Sequence, residues 1–420
     1  MNCIVVRVQA SAPDVRKEGR ISSSLDGGRS KFREASGYLA SGFFSKKNPY
    51  LNKMERTQPT RLLALDVFRG MTIFFMIIVN TPGSWSHVYA PLLHAKWDGC
   101  TPTDLVFPFF LFIVGVSMAY SFRKYEAVDR ATWIKKVLKR TFLIFMIGIA
   151  LNWFPFYKTN IADLRIFGVL QRIALGFGGA ALVVIFFGKK LVPFITLGIL
   201  FLYWGILLYF GGEDPLSLKD NAVRLLDVKL LGEKHLYGGY GMPFDPEGLL
   251  SSLPSIGTAL LGYMTGQIIL SQTELKSAIS KMVLGGLIFI GSGTLWHYVG
   301  FPINKPIWSS SYVLFTGGLA MCVLALFLTI TDLWSTHKWA LPFKVFGMNP
   351  LISYVMSGLI VRIISMVKIG ETNLSSWMYS TIFQPTFGDK FGSLMYAFAM
   401  VGAVYIFAYI LYRNGKVVKV

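Results

Sequence analysis

The chain holds three cysteines in 420 residues, Cys3, Cys100 and Cys322. They show no CxxC spacing, which excludes a disulfide framework and a thiolate metal site. Charge is scarce: Asp, Glu, Lys and Arg together are 15% of the chain, against about 25% in soluble domains. Histidine occurs five times. No Walker loop, HExxH or GxSxG is present, so phosphate-cradle, zinc-protease and serine-hydrolase readings have no footing. Acidic residues are outnumbered 22 to 41 by basic ones, a net charge of +19. That excess does not gather in one patch, and no nucleic-acid partner is expected. The cations sit between apolar runs, where they orient helices and touch anionic headgroups.

What is abundant is apolar and aromatic: 53% hydrophobic residues, with 34 Phe, 19 Tyr and 10 Trp. A helix needs about 20 apolar residues to cross a bilayer, and runs of that kind give about ten spans. They are Leu62–Thr81, Pro102–Phe122, Thr141–Phe156, Ile166–Gly188, Leu191–Gly211, Ser251–Leu270, Met282–Gly300, Ser310–Thr331, Leu341–Val367 and Ser393–Tyr412. The runs are too long and too unbroken for a β-barrel. The expected fold is therefore all-α, a polytopic transmembrane bundle over residues 54–420. Residues 1–53 are Ser-, Gly- and Arg-rich without periodicity; they read as a disordered tail or as a start assigned too early, with Met54 the alternative. Arg123, Lys124, Arg130, Lys135, Lys136, Lys139 and Arg140 mark the cytoplasmic side. Alternation then puts both termini in the cytoplasm and the segments 82–101, 152–165, 212–250, 301–309 and 369–391 on the opposite face.

An ionisable group inside a bilayer costs at least about 2.5–3.5 kcal/mol, so it needs a partner or a task. Asp66 and Arg69 in LDVFRG can share a helix face, either as a structural pair or with Arg69 contacting an anionic ligand. Gln171 and Arg172 fall within a span, and Arg172 calls for a carboxylate or a ligand phosphate. The stretch LLHAKWDGCTPTDLVFPFFL, Leu92 to Leu111, gathers His94, Lys96, Trp97, Asp98 and Asp104 at one helix mouth. TPTD is a capping-box start with Pro102 at the first helical position, so Asp104 belongs to a cap. A fixed carboxylate is also what a neighbouring imidazole needs. Asn80, before Pro82 and Gly83, either caps its helix or donates to an oxyanion. FDPEG (Phe244 to Gly248) and FPINKP (Phe301 to Pro306) read as turns. GMNP (Gly347 to Pro350) marks a helix break, and GFGG (Gly176 to Gly179) close helix packing. His297 ends a span on the outer side and could join the His94 group.

The ordered set RLLALDVFRGMTI, VNTPG, LLHAKWDGCTPTDLVFPFFLFIVG, FGVLQRIAL, FDPEGLLSSLPSI, FPINKPIWSSSYVLFTGG and FGMNPLISY resembles the heparan-α-glucosaminide N-acetyltransferase family and its bacterial relatives, from Arg61 to about Tyr354. The resemblance implies an acyltransferase that takes acetyl from cytoplasmic acetyl-CoA and delivers it to an amino sugar on the outer face. It places the active-site histidine on His94, the neighbouring asparagine on Asn80 and the aspartate on Asp104. The loop between Asn80 and His94 is longer and less glycine-rich than in the family. Arg172, Gln171 and Arg69 become the expected coenzyme A contacts, and Trp97, Asp245, Glu247 and His297 the expected acceptor contacts. Direct transfer is preferred over an acetyl-His94 intermediate. Expected partners are an amino-sugar or oligosaccharide acceptor and membrane lipids, with a homodimer left open; the expected location is a bacterial inner membrane. The rivals are a transporter without chemistry and an O-acetyltransferase of envelope polysaccharide.

Overall fold

Apolar runs broken by Gly, Pro and capping residues become helices wherever a cap is available. The computed structural model describes residues 62–125, 128–158 and 160–418. The expectation for residues 1–53 lies outside the described residues. Helix α1 spans Leu63–Asn80 and α2 Pro102–Phe122, opened by the Thr101/Asp104 capping box with Pro102 in the first turn, as TPTD predicts. Helix α3, Arg130–Trp153, is capped by Asp129. Helix α4 runs Val169–Phe210, broken at Gly188, whose φ is 69°. Helix α5, Ala222–Leu231, starts at the Asn221 cap. Helices α6, Ser252–Ser271, and α7, Leu275–Val299, follow. Helix α8, Ser310–Phe327, is capped by Ser309 and continues as a π-turn to Leu333. Helices α9, Leu341–Met348, and α10, Pro350–Met366, meet at Asn349 with a bend of 78°, the break that GMNP predicts. A two-residue-per-strand hairpin, Lys368–Ile369 with Thr372–Asn373, and short helical turns lead to α11, Asp389–Arg413.

Among the described residues seven helices are long and apolar enough to cross a membrane, or eight if the bent α9–α10 pair counts as one. The architecture is an all-α integral membrane bundle. The count differs from ten for two physical reasons. The fourth and fifth expected spans are one 42-residue element whose only backbone break is Gly188; at 1.5 Å per residue it is about 63 Å long, twice the hydrocarbon core. Helix α3 carries Arg130, Lys135, Lys136, Lys139 and Arg140 inside its first half, which lowers its hydropathy.

Small residues let the central helices touch backbone to backbone. A Cβ on Gly115 of α2 would lie 1.9 Å from the Ala259 carbonyl oxygen of α6, and one on Gly262 of α6 at 1.9 Å from that of Phe112. Between α1 and α9 the same holds for Gly70 against Phe343 and Gly347 against Asp66. The GFGG run packs as read: Gly178 meets Thr141 and Gly179 meets Ile256.

The interhelical segments sort to two ends. At one end the Ser393 hydroxyl accepts the Ser84 amide, Tyr379 reaches His87, the Ile166 amide reaches the His235 carbonyl and Trp97 reaches Leu216. The Tyr379–His87 and Trp97–Leu216 contacts join segments that charge bias groups together. At the other end Arg130 donates to the Ile185 and Phe186 carbonyls, the Ala64 amide donates to Asp332, and Asn349 donates to the Lys416 carbonyl.

Candidate active site

His94 leaves the backbone of a loop that the sequence cannot hold alone, because it has only a short 3-10 turn, Ala90–Leu92. Two devices fix it. Asp104, in the first turn of α2 and 1% exposed, uses Oδ2 to accept the amides of Thr101 and Ala95, each at 3.0 Å. Its Oδ1 lies 2.6 Å from His94 Nδ1. The carboxylate is thus both cap and orienter. The second device is a clip between loops. The Gly99 amide donates to the Ile303 carbonyl at 2.7 Å, Gly99 and Asn304 form a parallel bridge, and Asn304 Nδ2 donates to Asp98 at 3.1 Å. Gly99 has φ 105°, a conformation glycine adopts without steric cost.

The clip delivers Lys305. Its Nζ is 3.4 Å from Asp104 Oδ1 and 2.9 and 3.3 Å from His94 Nδ1 and Nε2. Asp104 is acceptor-only, so the proton between the two lies on Nδ1, and in the neutral ring the lone pair is then on Nε2. Burial lowers the Lys305 pKa from the ordinary lysine range, against the opposing charges of Asp104 and Glu247. Tyr312 of α8 donates to the Asp104 carbonyl at 2.5 Å, pinning the same turn from the far side. Cys100 is no competing nucleophile: burial, reinforced by Asp104, pushes its thiol up to about 12.

His94 and Lys305 face a cavity of about 420 Å³ that also takes in Asn80, Glu247, Phe107 and Val169. Asn80 is the last residue of α1 and is exposed. The His94 side chain is 47% exposed, open enough to meet a ligand while its partner carboxylate stays dry. A second cavity, of about 1180 Å³, lies toward the other end and is lined by Arg69, Arg140, Ser117, Ser121, Phe110 and Ile173, among others. Phe107 and Phe110 are one turn apart on α2, and Val169 and Ile173 one turn apart on α4. The two cavities are therefore lined by successive turns of the same helices.

Comparison with known proteins meets this geometry. A family profile described as "Heparan-alpha-glucosaminide N-acetyltransferase, catalytic" matches residues 61–302. The chain belongs to that family. It is similar to the heparan-alpha-glucosaminide N-acetyltransferases of Mus musculus, 29% identical over 73% of this chain and 54% of the mouse protein, and of Homo sapiens, 29% over 71% and 52%. The chain spans about half the length of these curated relatives.

Within this family member the remaining expected residues take different places. Glu247 lines the His94 cavity and pairs with Arg165 at 2.7 Å. Asp245, fully buried, takes Arg165 in a two-point bond, both contacts 2.8 Å, and so fastens the 165 segment to the FDPEG turn. Burial disfavours the Arg165 charge, but Asp245 and Glu247 outweigh it and raise its pKa. Trp97 packs on Tyr240 and Phe244 and holds the long loop over the site. His297 Nδ1 accepts the Ile303 amide at 3.0 Å and shapes the loop that carries Lys305. Arg172 and Gln171 are 1% exposed. Arg172 donates to the Ser251 hydroxyl and lies 4.7 Å over the Trp308 ring, with the carboxylates of Glu247, Asp245 and Asp227 acting on its charge from further off and its Nε buried without a hydrogen-bond partner among the described residues. Gln171 donates to the Ile166 carbonyl. Arg69 donates to Ser117 at 2.6 Å and to the Gly347 carbonyl at 3.2 Å, with Asp66 at 3.4 Å; the ion pair and the cavity position coexist. Lys305, Arg140 and Arg165 were not singled out from sequence. Lys305 had a local signal, a lysine set between two prolines in FPINKP. It lies just beyond the profile match.

Proposed function

We propose that this protein is a transmembrane N-acetyltransferase that moves acetyl from cytoplasmic acetyl-CoA to a glucosamine-type amino sugar on the outer face. It crosses a bacterial inner membrane ten times with both termini in the cytoplasm: the seven helices, the doubled α4, the broken α9–α10 pair and α3. The observation that carries the reading is the Asp104–His94–Lys305 cluster at the mouth of one cavity, stacked on a second cavity that holds Arg69 and Arg140.

His94 is the general base, Asp104 its positioning residue, and Asn80 and Lys305 the donors to the developing oxyanion. Arg69 and Arg140 meet the phosphates of coenzyme A at the opposite end, where charge-assisted contacts are strongest. Arg172 and Gln171 hold the wall between the cavities and contact the donor only along its arm. Glu247 contacts the amino sugar, with Asp245, Trp97 and His297 keeping its surroundings in place. In the reaction the acceptor nitrogen attacks the thioester carbonyl carbon. The C–N bond forms as the C–S bond breaks. The acceptor enters as the neutral amine; His94 Nε2 takes the proton its nitrogen sheds as the C–N bond forms and returns it to the departing sulfur. Direct transfer requires one protein base in one tautomer, and the Asp104 contact supplies that tautomer.

The test is sealed vesicles supplied with labelled acetyl-CoA on the cytoplasmic face and a panel of amino sugars outside. Label should appear as N-acetyl sugar on the outer side, and His94→Ala should abolish it while the protein still folds and binds coenzyme A. Label on sugar hydroxyls, uptake without acetyl-CoA, or an active His94→Ala enzyme overturns the assignment.

A further inference from the structure

Beside the His94 cavity, on the lipid side, runs a groove of about 780 Å³ between α1 and α2, closed at its inner end by Val323 of α8. Its floor is Phe68, Thr72 and Val79, all under 8% exposed, and its rim includes Phe75, 41% exposed. Phe68 to Val79 is eleven residues of helix, about 16 Å. That is the depth of one leaflet of a hydrocarbon core about 30 Å thick. With the end of α1 at the interface, the groove would reach from near the bilayer centre at Phe68 to the interface at Leu92 and Pro102.

Two features distinguish it from ordinary lipid-facing surface. First, only two polar side chains line it, and both spend their hydroxyl protons on backbone: Thr72 on the Arg69 carbonyl at 2.7 Å and Thr103 on the Pro91 carbonyl at 3.1 Å. An amide-rich pantetheine would find no donor there; a hydrocarbon chain needs none. Second, the groove is continuous with the candidate active site, because Val79, Thr103 and Val106 line both. The exposed apolar faces elsewhere, such as Leu284, Leu287, Ile288 and Leu295 on α7, adjoin no such polar cluster.

We infer that the acceptor is a lipid-linked amino sugar of the outer leaflet, its hydrocarbon tail lying in the α1–α2 groove and its sugar amine reaching His94. The inference rests on the acetyltransferase reading and names its substrate class. A soluble sugar would use the polar cavity alone and leave the groove empty. A tail in the groove brings the amine to the site by lateral diffusion, already oriented headgroup-out.

The test compares free glucosamine with dodecyl glucosaminide in nanodiscs, using wild type, Met71→Trp and Leu105→Trp. Met71 and Leu105 line the groove and not the His94 cavity, and two variants guard against one failing to fold. The expected result is a drop of about ten-fold or more in kcat/KM for the alkyl glucosaminide, with free glucosamine changed less than two-fold. Bilayer partitioning affects wild type and variants alike, so it cannot mimic this split. Equal kinetics for both acceptors across all three proteins overturns the groove. Separately, a dodecyl glucosaminide carrying a diazirine at the chain end should label α1 near Phe68 and α8 near Val323. Label spread over every lipid-facing helix overturns the groove even if acetylation proceeds. Groove labelling without acetylation of any glucosaminide keeps the lipid site and sinks the acetyltransferase reading.

Discussion

Replacing Asp104 by asparagine separates the two tasks of one carboxylate. Oδ2 accepts two backbone amides, those of Thr101 and Ala95, and Oδ1 faces His94 Nδ1 at 2.6 Å. An asparagine has one oxygen and must choose. Turning the oxygen toward His94 strands two partly buried backbone donors, at up to about 1–3 kcal/mol each. Turning it toward the cap strands none, so the cap side wins. The amide NH₂ then points at Nδ1, which must present its lone pair, and the ring proton moves to Nε2, the atom proposed to receive a proton. The base is lost while the helix start is kept. General-base contributions are about 10²–10⁴-fold, and kcat should fall within that range. Asp104→Ala should lose the same activity but also the cap, which is worth about 0.5–2 kcal/mol, together with the partners of both amides. Labelled acetyl transfer and thermal melting in detergent, run side by side, give the readout. The Asp104→Asn protein should be inactive and melt within a few degrees of wild type. The Asp104→Ala protein should be inactive and melt clearly lower. More than a tenth of wild-type kcat in Asp104→Asn refutes the tautomer argument, and wild-type melting in Asp104→Ala refutes the dual role.

Lys305→Met should lower kcat by about 10²–10³-fold, the range for losing one oxyanion donor, with little change in acceptor KM; steady-state kinetics decide it. Arg140→Gln should raise the KM for acetyl-CoA by about ten-fold, as for one charge-assisted contact of about 1.5 kcal/mol, and leave acceptor KM alone. Asp227, fully buried with the Leu249 amide on Oδ1, is pushed by burial from 3.8 up to about 7. The folded state therefore holds a proton that the unfolded chain releases above pH 4, and stability falls as pH rises from about 4 to about 7, by at most roughly 4 kcal/mol. Asp227→Asn should flatten that slope, so that the melting advantage of the variant is larger at pH 8 than at pH 5; an equal difference at both pH values refutes the linkage.

The parts of this molecule that were legible in its sequence are those whose physics is local. TPTD announces its helix start because cap, proline and carboxylate lie within four residues. The hydropathy runs announce the bundle because a bilayer asks the same of every span. The break at Asn349–Pro350 follows from backbone chemistry alone. What escaped is what depends on partners distant along the chain. Lys305 meets His94 across 211 residues only because Gly99 and Asn304 bridge two loops, and no pattern within either loop encodes that register. Arg172 shows the converse limit. The cost of a buried charge correctly demanded a partner, but the energy can be met by a carboxylate, a phosphate, or an aromatic face with a hydroxyl, and sequence does not rank them. Trp308, buried just before α8, and Ser251 meet the guanidinium directly, while Glu247, Asp245 and Asp227 act on its charge from further off. The phosphate role is proposed instead for Arg69 and Arg140, which line the larger cavity at the opposite end. A sequence therefore locates the groups that are energetically obliged to find partners, and the fold decides which partners those are.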